Sequence, residues 1–236
     1  MKKGKLYGIG VGPGDPELIT VAAARILQDV DIVAAPQTNA SIAWKIAEPY
    51  IAGKPTMSLA IPMVKDVRIL NEAYQKAAED LIQALREEKN VAFLTLGDVS
   101  LYSTFTNIHR LVTAQGYQTE WIPGIPAMCA TAAALQEPLA ERREPILVLP
   151  AVDAESIQTI IQCLKKGSHV LAMKFGMRFL MLKEQLEKHG FIEQAAMVVR
   201  CGMEEEKVIR DIRSCDEAQS YFSTMLIKAH RGEENG

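Results

Sequence analysis

Short apolar segments alternate with amphipathic segments along nearly the whole chain, a pattern typical of an α/β protein. The segment 67–89 is the clearest predicted helix, because it is charged on one face and carries apolar residues at helical spacing on the other. The segment 91–96 is apolar on both faces, as expected for a strand at the centre of a parallel sheet. The same pattern predicts further strands at 6–11, 31–35, 56–61, 119–122, 146–149, 169–173, 196–199, 208–212 and 224–229. It predicts further helices at 20–30, 42–50, 101–114, 127–135, 157–165 and 179–189.

The order of these elements predicts two α/β domains. We place the first at 1–123 and the second at 124–236, with a linker around 137–145, which is charged and contains two prolines. The last strands of the second half follow one another without intervening helices, so we expect an antiparallel portion and a mixed sheet there.

Composition and charge exclude several classes of protein. Apolar residues make up 48% of the 236 residues, and 26 basic residues against 29 acidic ones give a net charge of -3. This balance disfavours a nucleic-acid partner, and no apolar run approaches the length needed to cross a bilayer. The four cysteines and four histidines are scattered without metal-ligand spacing, so we expect neither a metal site nor disulfides. These features predict a cytoplasmic protein with no membrane partner.

The glycine-rich segment GIGVGPGDP at 8–16 follows the first predicted strand. It does not fit a dinucleotide-binding GxGxxG, since the third glycine position falls on Pro13 or on Asp15. Such a loop permits close approach of a bulky ligand, although a tight structural turn is the alternative. We predict that Gly10, Gly12 and Asp15 contact the substrate.

Two further motifs also follow predicted strands. The segment GDVSLYSTF at 97–105 begins where the most apolar strand ends, and ligands of open α/β sheets bind at the carboxyl ends of strands. We expect a ligand role for Asp98, whereas helix capping alone could explain Ser100. The segment PGIPA at 123–127 opens onto a helix of small residues, where close packing is the alternative explanation.

Taken together, these motifs resemble the tetrapyrrole methylase family. The matching elements are the opening GxGxGPGDP, the loop at Pro36, the segment 97–102, the segment 123–125 and VRCG at 199–202. The resemblance covers nearly the whole chain, with one departure, because Val99 replaces the usual proline of the family's GDP loop. The segments 103–105, 137–141 and 146–151 most resemble the methyltransferases that act at C20 of precorrin-2 or of its cobalt complex.

The resemblance implies a fold distinct from Rossmann-type methyltransferases, with two α/β domains, an active-site trough between them, and a homodimer. It also implies S-adenosylmethionine as cofactor and a tetrapyrrole as substrate. The cofactor contacts carried over from the family are Gly97, Asp98, Leu101, Ser103, Thr104, Ile125, Ala127, Met173, Cys201 and Gly202.

Transfer from a sulfonium requires no covalent nucleophile, so alignment of donor and acceptor carbon is the main task. We predict that Asp98, Lys174 and Glu206 are catalytic, with Asp98 the first candidate for proton handling. The carboxylates of the substrate call for cations, and we predict that Arg142, Arg143 and Lys174 bind them. Alternatives are another tetrapyrrole methylase, acting on uroporphyrinogen, precorrin-3 or precorrin-4, and a non-catalytic nucleotide-binding module.

Overall fold

A computed structural model describes residues 4–64, 66–150 and 153–229. The chain divides into two compact units, Met1–Pro126 and Ala127–Gly236. The segment 137–145, where we expected a linker, lies inside the second unit.

The first unit is built on a five-stranded parallel sheet with the order β3-β2-β4-β1-β5. Its strands are β1 (Lys5–Gly10), β2 (Ile32–Pro36), β3 (Thr56–Leu59), β4 (Val91–Thr95) and β5 (Gln118–Ile122). Because every pair is parallel, all five carboxyl ends lie at one edge of the sheet. The glycine-containing segments at 10–14, 97–104 and 123–126 leave from that edge.

Helices cover both faces of this sheet. They are α1 (Val21–Asp29), α2 (Ala40–Ala47), α3 (Val67–Arg86) and α4 (Phe105–Ala114). Val91 and Phe93 of β4 pack with α3 and α4, whereas Ala92 and Leu94 pack with α1 and α2. Side chains of a strand alternate between the two faces of the sheet, so the apolar run of β4 supplies two cores at once.

The second unit contains a mixed sheet with the order β6-β7-β10-β8-β9. Its strands are β6 (Ile146–Pro150), β7 (His169–Met173), β8 (Ala195–Val199), β9 (Lys207–Ile209) and β10 (Ser223–Ile227). Its helices are α5 (Ala127–Leu135), α6 (Ala154–Lys165) and α7 (Phe179–Lys188). β6 and β7 are parallel, while β10 is antiparallel to both β7 and β8. The predicted α/β class and mixed second sheet are therefore confirmed, and the carboxyl ends of β7 and β8 flank the start of β10.

Several predicted boundaries are wrong. The helices expected at 67–89 and 157–165 span Val67–Arg86 and Ala154–Lys165, and three further differences have a visible cause. The helix expected from 101 begins at Phe105, because Tyr102 has a left-handed backbone with φ of 51°. The helix expected to reach 50 ends at Ala47, and a 3-10 turn containing Pro49 follows. The strand expected to reach 212 ends at Ile209, because Asp211 caps a 3-10 turn that begins at residue 212.

No helix in the described ranges is both long enough and apolar enough to cross a membrane.

Candidate active site

The three glycine-containing loops of the first unit meet at the carboxyl edge of its sheet. Gly97 donates its amide hydrogen to the carbonyl of Gly12 at 2.7 Å, and Gly12 donates in return to Gly97 at 3.2 Å. Val11 extends the contact by donating to the carbonyl of Thr95 at 2.9 Å. Backbone hydrogen bonds therefore join the loop after β1 to the loop after β4.

Close backbone packing brings in the third loop and explains the glycines. A Cβ atom built on Gly124 would lie 2.3 Å from the carbonyl oxygen of Gly97 and 2.6 Å from the carbonyl oxygen of Gly10. One built on Gly10 would lie 2.6 Å from the amide nitrogen of Gly124. Each distance is far below van der Waals contact, so no side chain fits. We call the backbone surface formed by Gly10, Gly97 and Gly124 the glycine cradle.

The Asp98 carboxylate fastens the cradle. Its Oδ2 accepts a hydrogen bond from the amide of Gly124 at 2.8 Å, and its Oδ1 accepts from the amide of Ser100 at 2.8 Å and from the Ser100 hydroxyl. Partial burial raises the pKa of Asp98, but the hydrogen bonds from Ser100, Gly124 and Val99 outweigh it and hold the pKa below its ordinary value. The group is ionised at neutral pH, and its acceptor capacity is directed at its own loops.

Val99 is the residue at which this sequence departs from the GDP loop that it resembles. Its side chain is only 2% exposed and belongs to the core that β4 forms with α3 and α4. Apolar packing therefore anchors this loop.

The hydroxyl groups beyond Asp98 are engaged with neighbouring elements. The Ser103 hydroxyl lies 2.9 Å from that of Thr95 and accepts the amide hydrogen of Phe105 at 3.1 Å. This arrangement ties the start of α4 to the end of β4. Thr104 accepts through its carbonyl from Asn107 at 3.1 Å.

Asp15 belongs to the glycine-rich loop, and its carboxylate contacts only the turn that directly follows it in the described contacts. Its carboxylate accepts from the amide of Glu17 at 2.8 Å and caps the short 3-10 turn that follows. This contact shows a structural role, and its predicted substrate contact stays a prediction, as do those of Gly10 and Gly12.

In the second unit, Lys174 directly follows β7. It has a left-handed backbone with φ of 58°, and its Nζ lies 5.9 Å from the centre of the Tyr221 ring. Burial lowers the pKa of Lys174 and raises that of Tyr221. Met173, the predicted cofactor contact, is half-buried and ends β7 beside Thr224 of β10.

The turn after β8 contains the remaining predicted groups. Glu206 accepts the amide hydrogen of Gly202 at 2.6 Å and so closes its own turn. Cys201 is buried, and desolvation together with the neighbouring Glu206 carboxylate raises its pKa to about 12. Arg200 has a left-handed backbone, and its Nε lies 2.7 Å from Glu205. This turn therefore holds a neutral thiol beside an ionisable carboxyl.

The other predicted residues have simpler surroundings. Arg142 and Arg143 are exposed on the turn before β6. Leu101, Ile125 and Ala127 are partly buried. Within the first unit, the structure brings together Gly10, Gly12, Gly97 and Asp98, and within the second it brings together Cys201, Gly202 and Glu206.

Sequence reasoning did not select Gly124, Thr95 or Tyr221 as individual site residues. The Pro-Gly pair at the end of β5 is a signal for Gly124, because it marks a turn at a parallel strand end. No local pattern marks Thr95 or Tyr221. In the described part of the chain, no group of three His, Cys, Asp or Glu side chains could hold a metal ion.

Comparison with known proteins places this geometry in a family. The model of the tetrapyrrole (corrin/porphyrin) methylases matches residues 5–213. A "probable cobalt-precorrin-2 C(20)-methyltransferase" of Methanocaldococcus jannaschii is 34% identical over 235 residues, which cover 95% of this chain and 96% of the relative. The cobalt-precorrin-2 C(20)-methyltransferase of Salmonella typhimurium is 32% identical over 230 residues, with coverage of 95% and 96%.

Several solved structures have a fold similar to that of this chain. The cobalt precorrin-4 methyltransferase CbiF superposes with a TM-score of 0.76 at 19% identity, covering 95% of this chain and 94% of that one. A uroporphyrin-III C-methyltransferase from Thermus thermophilus, solved with S-adenosylhomocysteine, superposes with a TM-score of 0.68 at 17% identity, covering 95% and 97%. The resemblance drawn from the motifs is confirmed: this chain belongs to the tetrapyrrole methylase family.

Proposed function

We propose that this protein transfers a methyl group from S-adenosylmethionine to C20 of cobalt-precorrin-2, in cobalamin biosynthesis. The observation that carries the proposal is full-length similarity, at 34% and 32% identity, to two proteins named for that reaction. Relatives named for methylation at C11 of cobalt-precorrin-4 are less similar, at 27% and 24% identity. The relative at 27% matches only 57% of this chain, so the comparison favours C20 over C11.

The residues at the glycine cradle fit the proposed methyl donor. Gly10 and Gly124 present backbone rather than side chains at the strand ends, where a Cβ atom on either would collide with a neighbouring loop. Such a surface suits a ligand held largely through backbone amides and carbonyls. When bound, S-adenosylmethionine supplies a methyl group on a positively charged sulfur, already activated for transfer to carbon. The residues proposed to hold it are Gly97, Asp98, Leu101, Ser103, Thr104, Ile125, Ala127, Met173, Cys201 and Gly202.

In the first unit, the protein is proposed to contribute by holding its three glycine-containing loops in fixed positions. The Gly12–Gly97 hydrogen bonds and the Asp98–Gly124 hydrogen bond fix three loops against one another before any ligand arrives. Pre-organised alignment of two reactants can lower a barrier by about 7–11 kcal/mol in favourable cases. A reaction that needs no covalent nucleophile can draw most of its acceleration from this source.

Asp98 fits this scheme as a positioning group. Its carboxylate accepts hydrogen bonds from Ser100, Gly124 and Val99 and has a lowered pKa, which suits it to holding loops better than to accepting a proton. Its part in proton handling stays a prediction, as do the catalytic roles of Lys174 and Glu206.

Cationic side chains are proposed to bind the carboxylates of the macrocycle. Lys174 stands at a strand end, and Arg142 and Arg143 are exposed on the turn before β6.

The homodimer and the cytoplasmic location also stay predictions.

The test is turnover by the purified protein with S-adenosylmethionine and either cobalt-precorrin-2 or metal-free precorrin-2. We expect one methyl group at C20, identified by mass and by NMR, and faster turnover of the cobalt form. Uroporphyrinogen, precorrin-3 and precorrin-4 serve as comparison substrates. Methylation of one of these in preference would contradict the proposal, as would calorimetry showing tight NAD or ATP binding without S-adenosylhomocysteine binding.

A further inference from the structure

The end of β7 and the start of β10 lie side by side in the second unit. Met173 pairs with Thr224 in antiparallel register, so Lys174 leaves the sheet next to the residues that lead into β10. Tyr221 is two residues before that strand begins and is 37% exposed. The juxtaposition is therefore a product of strand order, and it joins residues 47 positions apart in the chain.

Backbone contacts hold the two segments together. Gln219 donates its amide hydrogen to the carbonyl of Gly176 at 3.3 Å, and a Cβ atom on Gly176 would lie 3.6 Å from the Cα of Tyr221. On the other side, Arg200 donates to the carbonyl of Phe222 at 2.7 Å. The segment 219–222, which contains Tyr221, is thus held by residues that follow the two neighbouring strands.

The backbone of Lys174 also has a restricted geometry. Its φ of 58° lies in the left-handed region, which few residues other than glycine adopt. Non-glycine residues in that region cluster at ligand-binding and active sites, where the surrounding structure enforces them.

The Tyr221 ring lies against the Lys174 ammonium group. Nζ is 5.9 Å from the ring centre, within the range of about 6 Å for a cation–π contact. Phe222 packs edge-on against Tyr221, with ring centres 5.4 Å apart and planes at 88°. A lysine side chain has four rotatable bonds, and an aromatic face at its tip narrows the positions that the charge occupies.

Burial of Lys174 and the aromatic ring of Tyr221 have opposite effects on how easily Lys174 keeps its positive charge. Desolvation lowers the pKa of Lys174 and so disfavours its charged form. The negative face of an aromatic ring favours the charged form. The ring therefore suits a lysine that must stay cationic while partly removed from water.

We propose that Tyr221 is a positioning residue that holds the Lys174 ammonium group over its ring and presents it to a carboxylate of the substrate. The identity of that carboxylate, a side chain of the tetrapyrrole, rests on the proposed function. The contact between the two residues does not rest on it.

The first test is independent of any substrate. Lysines are reductively methylated with ¹³C-formaldehyde, and the Lys174 signal is assigned by its loss in Lys174→Met. We expect an upfield ring-current shift of this signal that persists in Tyr221→Phe and disappears in Tyr221→Leu and in Tyr221→Met. An unchanged signal in the two ringless variants would overturn the proposal.

The second test separates positioning from folding. In Tyr221→Leu, we expect the KM for the tetrapyrrole to rise about 2- to 30-fold, while kcat and the affinity for S-adenosylhomocysteine stay at wild-type values. Tyr221→Phe should restore the wild-type KM, and Tyr221→Leu should add nothing in the Lys174→Met background. A full additional effect in that background, or a Tyr221→Phe variant as impaired as Tyr221→Leu, would overturn the proposal. If the wild type transfers no methyl group, the proposed function fails, and the NMR experiment still decides the role of Tyr221.

Discussion

Replacement of Gly124 by alanine is the most direct perturbation of the glycine cradle. The new Cβ would lie 2.3 Å from the carbonyl oxygen of Gly97, whereas ordinary contacts begin at 3.4 Å. The loops must therefore separate by about 1 Å. The hydrogen bond from Gly124 to Asp98, now 2.8 Å, would stretch beyond the usual limit of about 3.2 Å.

The energetic consequence follows from these distances. Overpacking against backbone atoms costs about 1–3 kcal/mol, and the lost hydrogen bond adds about 1 kcal/mol. Loss of backbone freedom in the unfolded chain offsets this by about 0.4–1 kcal/mol. We expect the free energy of unfolding to fall by about 1–3.5 kcal/mol. A misplacement of about 1 Å can also slow a reaction by about 100-fold, and we expect kcat to fall by that order.

Urea denaturation followed by tryptophan fluorescence measures the stability effect, because both tryptophans, Trp44 and Trp121, lie in the first unit. Calorimetry with S-adenosylhomocysteine measures the effect on the site. Gly53→Ala is the matched control, since Gly53 has a positive φ of 75° but open space around a Cβ. We expect the control to lose about 1 kcal/mol of stability through backbone strain and to bind S-adenosylhomocysteine normally. Wild-type stability and wild-type affinity in Gly124→Ala would refute the packing argument.

Two further predictions concern the ionisable groups Asp98 and Cys201. Asp98→Asn leaves the amide of Gly124 without its carboxylate acceptor and should cost about 1–3 kcal/mol at neutral pH. Because the folded pKa of Asp98 lies below the ordinary value of 3.8, its contribution is complete above that pH and is lost as the pH falls through the folded value. The stability difference between wild type and Asp98→Asn should therefore shrink in acid, and a difference independent of pH in urea titrations would contradict this. Cys201, with a pKa of about 12 and a buried thiol, should resist iodoacetamide in the native protein while exposed Cys129 reacts, as peptide mass mapping would show. Equal alkylation of both thiols would rule out the described burial of Cys201.

Much of the fold of the first unit could be predicted from the sequence, because short segments of the chain carry the hydrophobic patterns that specify its strands and helices. A strand such as β4, apolar on both faces, is typical of the centre of a covered parallel sheet. Once the strands are parallel, their carboxyl ends share an edge, so loops that follow different strands come together. The convergence of the segments at 10–14, 97–104 and 123–126 is a consequence of this geometry.

Other features depend on contacts that no local pattern encodes. The carboxylate of Asp98 reaches an amide 26 residues away, and Lys174 meets Tyr221 because β10 lies between β7 and β8. Tyr102 and Lys174 adopt left-handed backbones without the glycine or asparagine that usually signals one. Hydrophobic periodicity reports which face of a strand is buried, but neither the order of strands nor the partner of a side chain.

The central claim is that the glycine cradle holds the methyl donor. Crystals grown with S-adenosylhomocysteine test it most directly. We predict that the ligand contacts backbone atoms of the loops that carry Gly97 and Gly124, within hydrogen-bonding distance of their amides or carbonyls. Density for the ligand at any site that does not touch those loops would contradict the account.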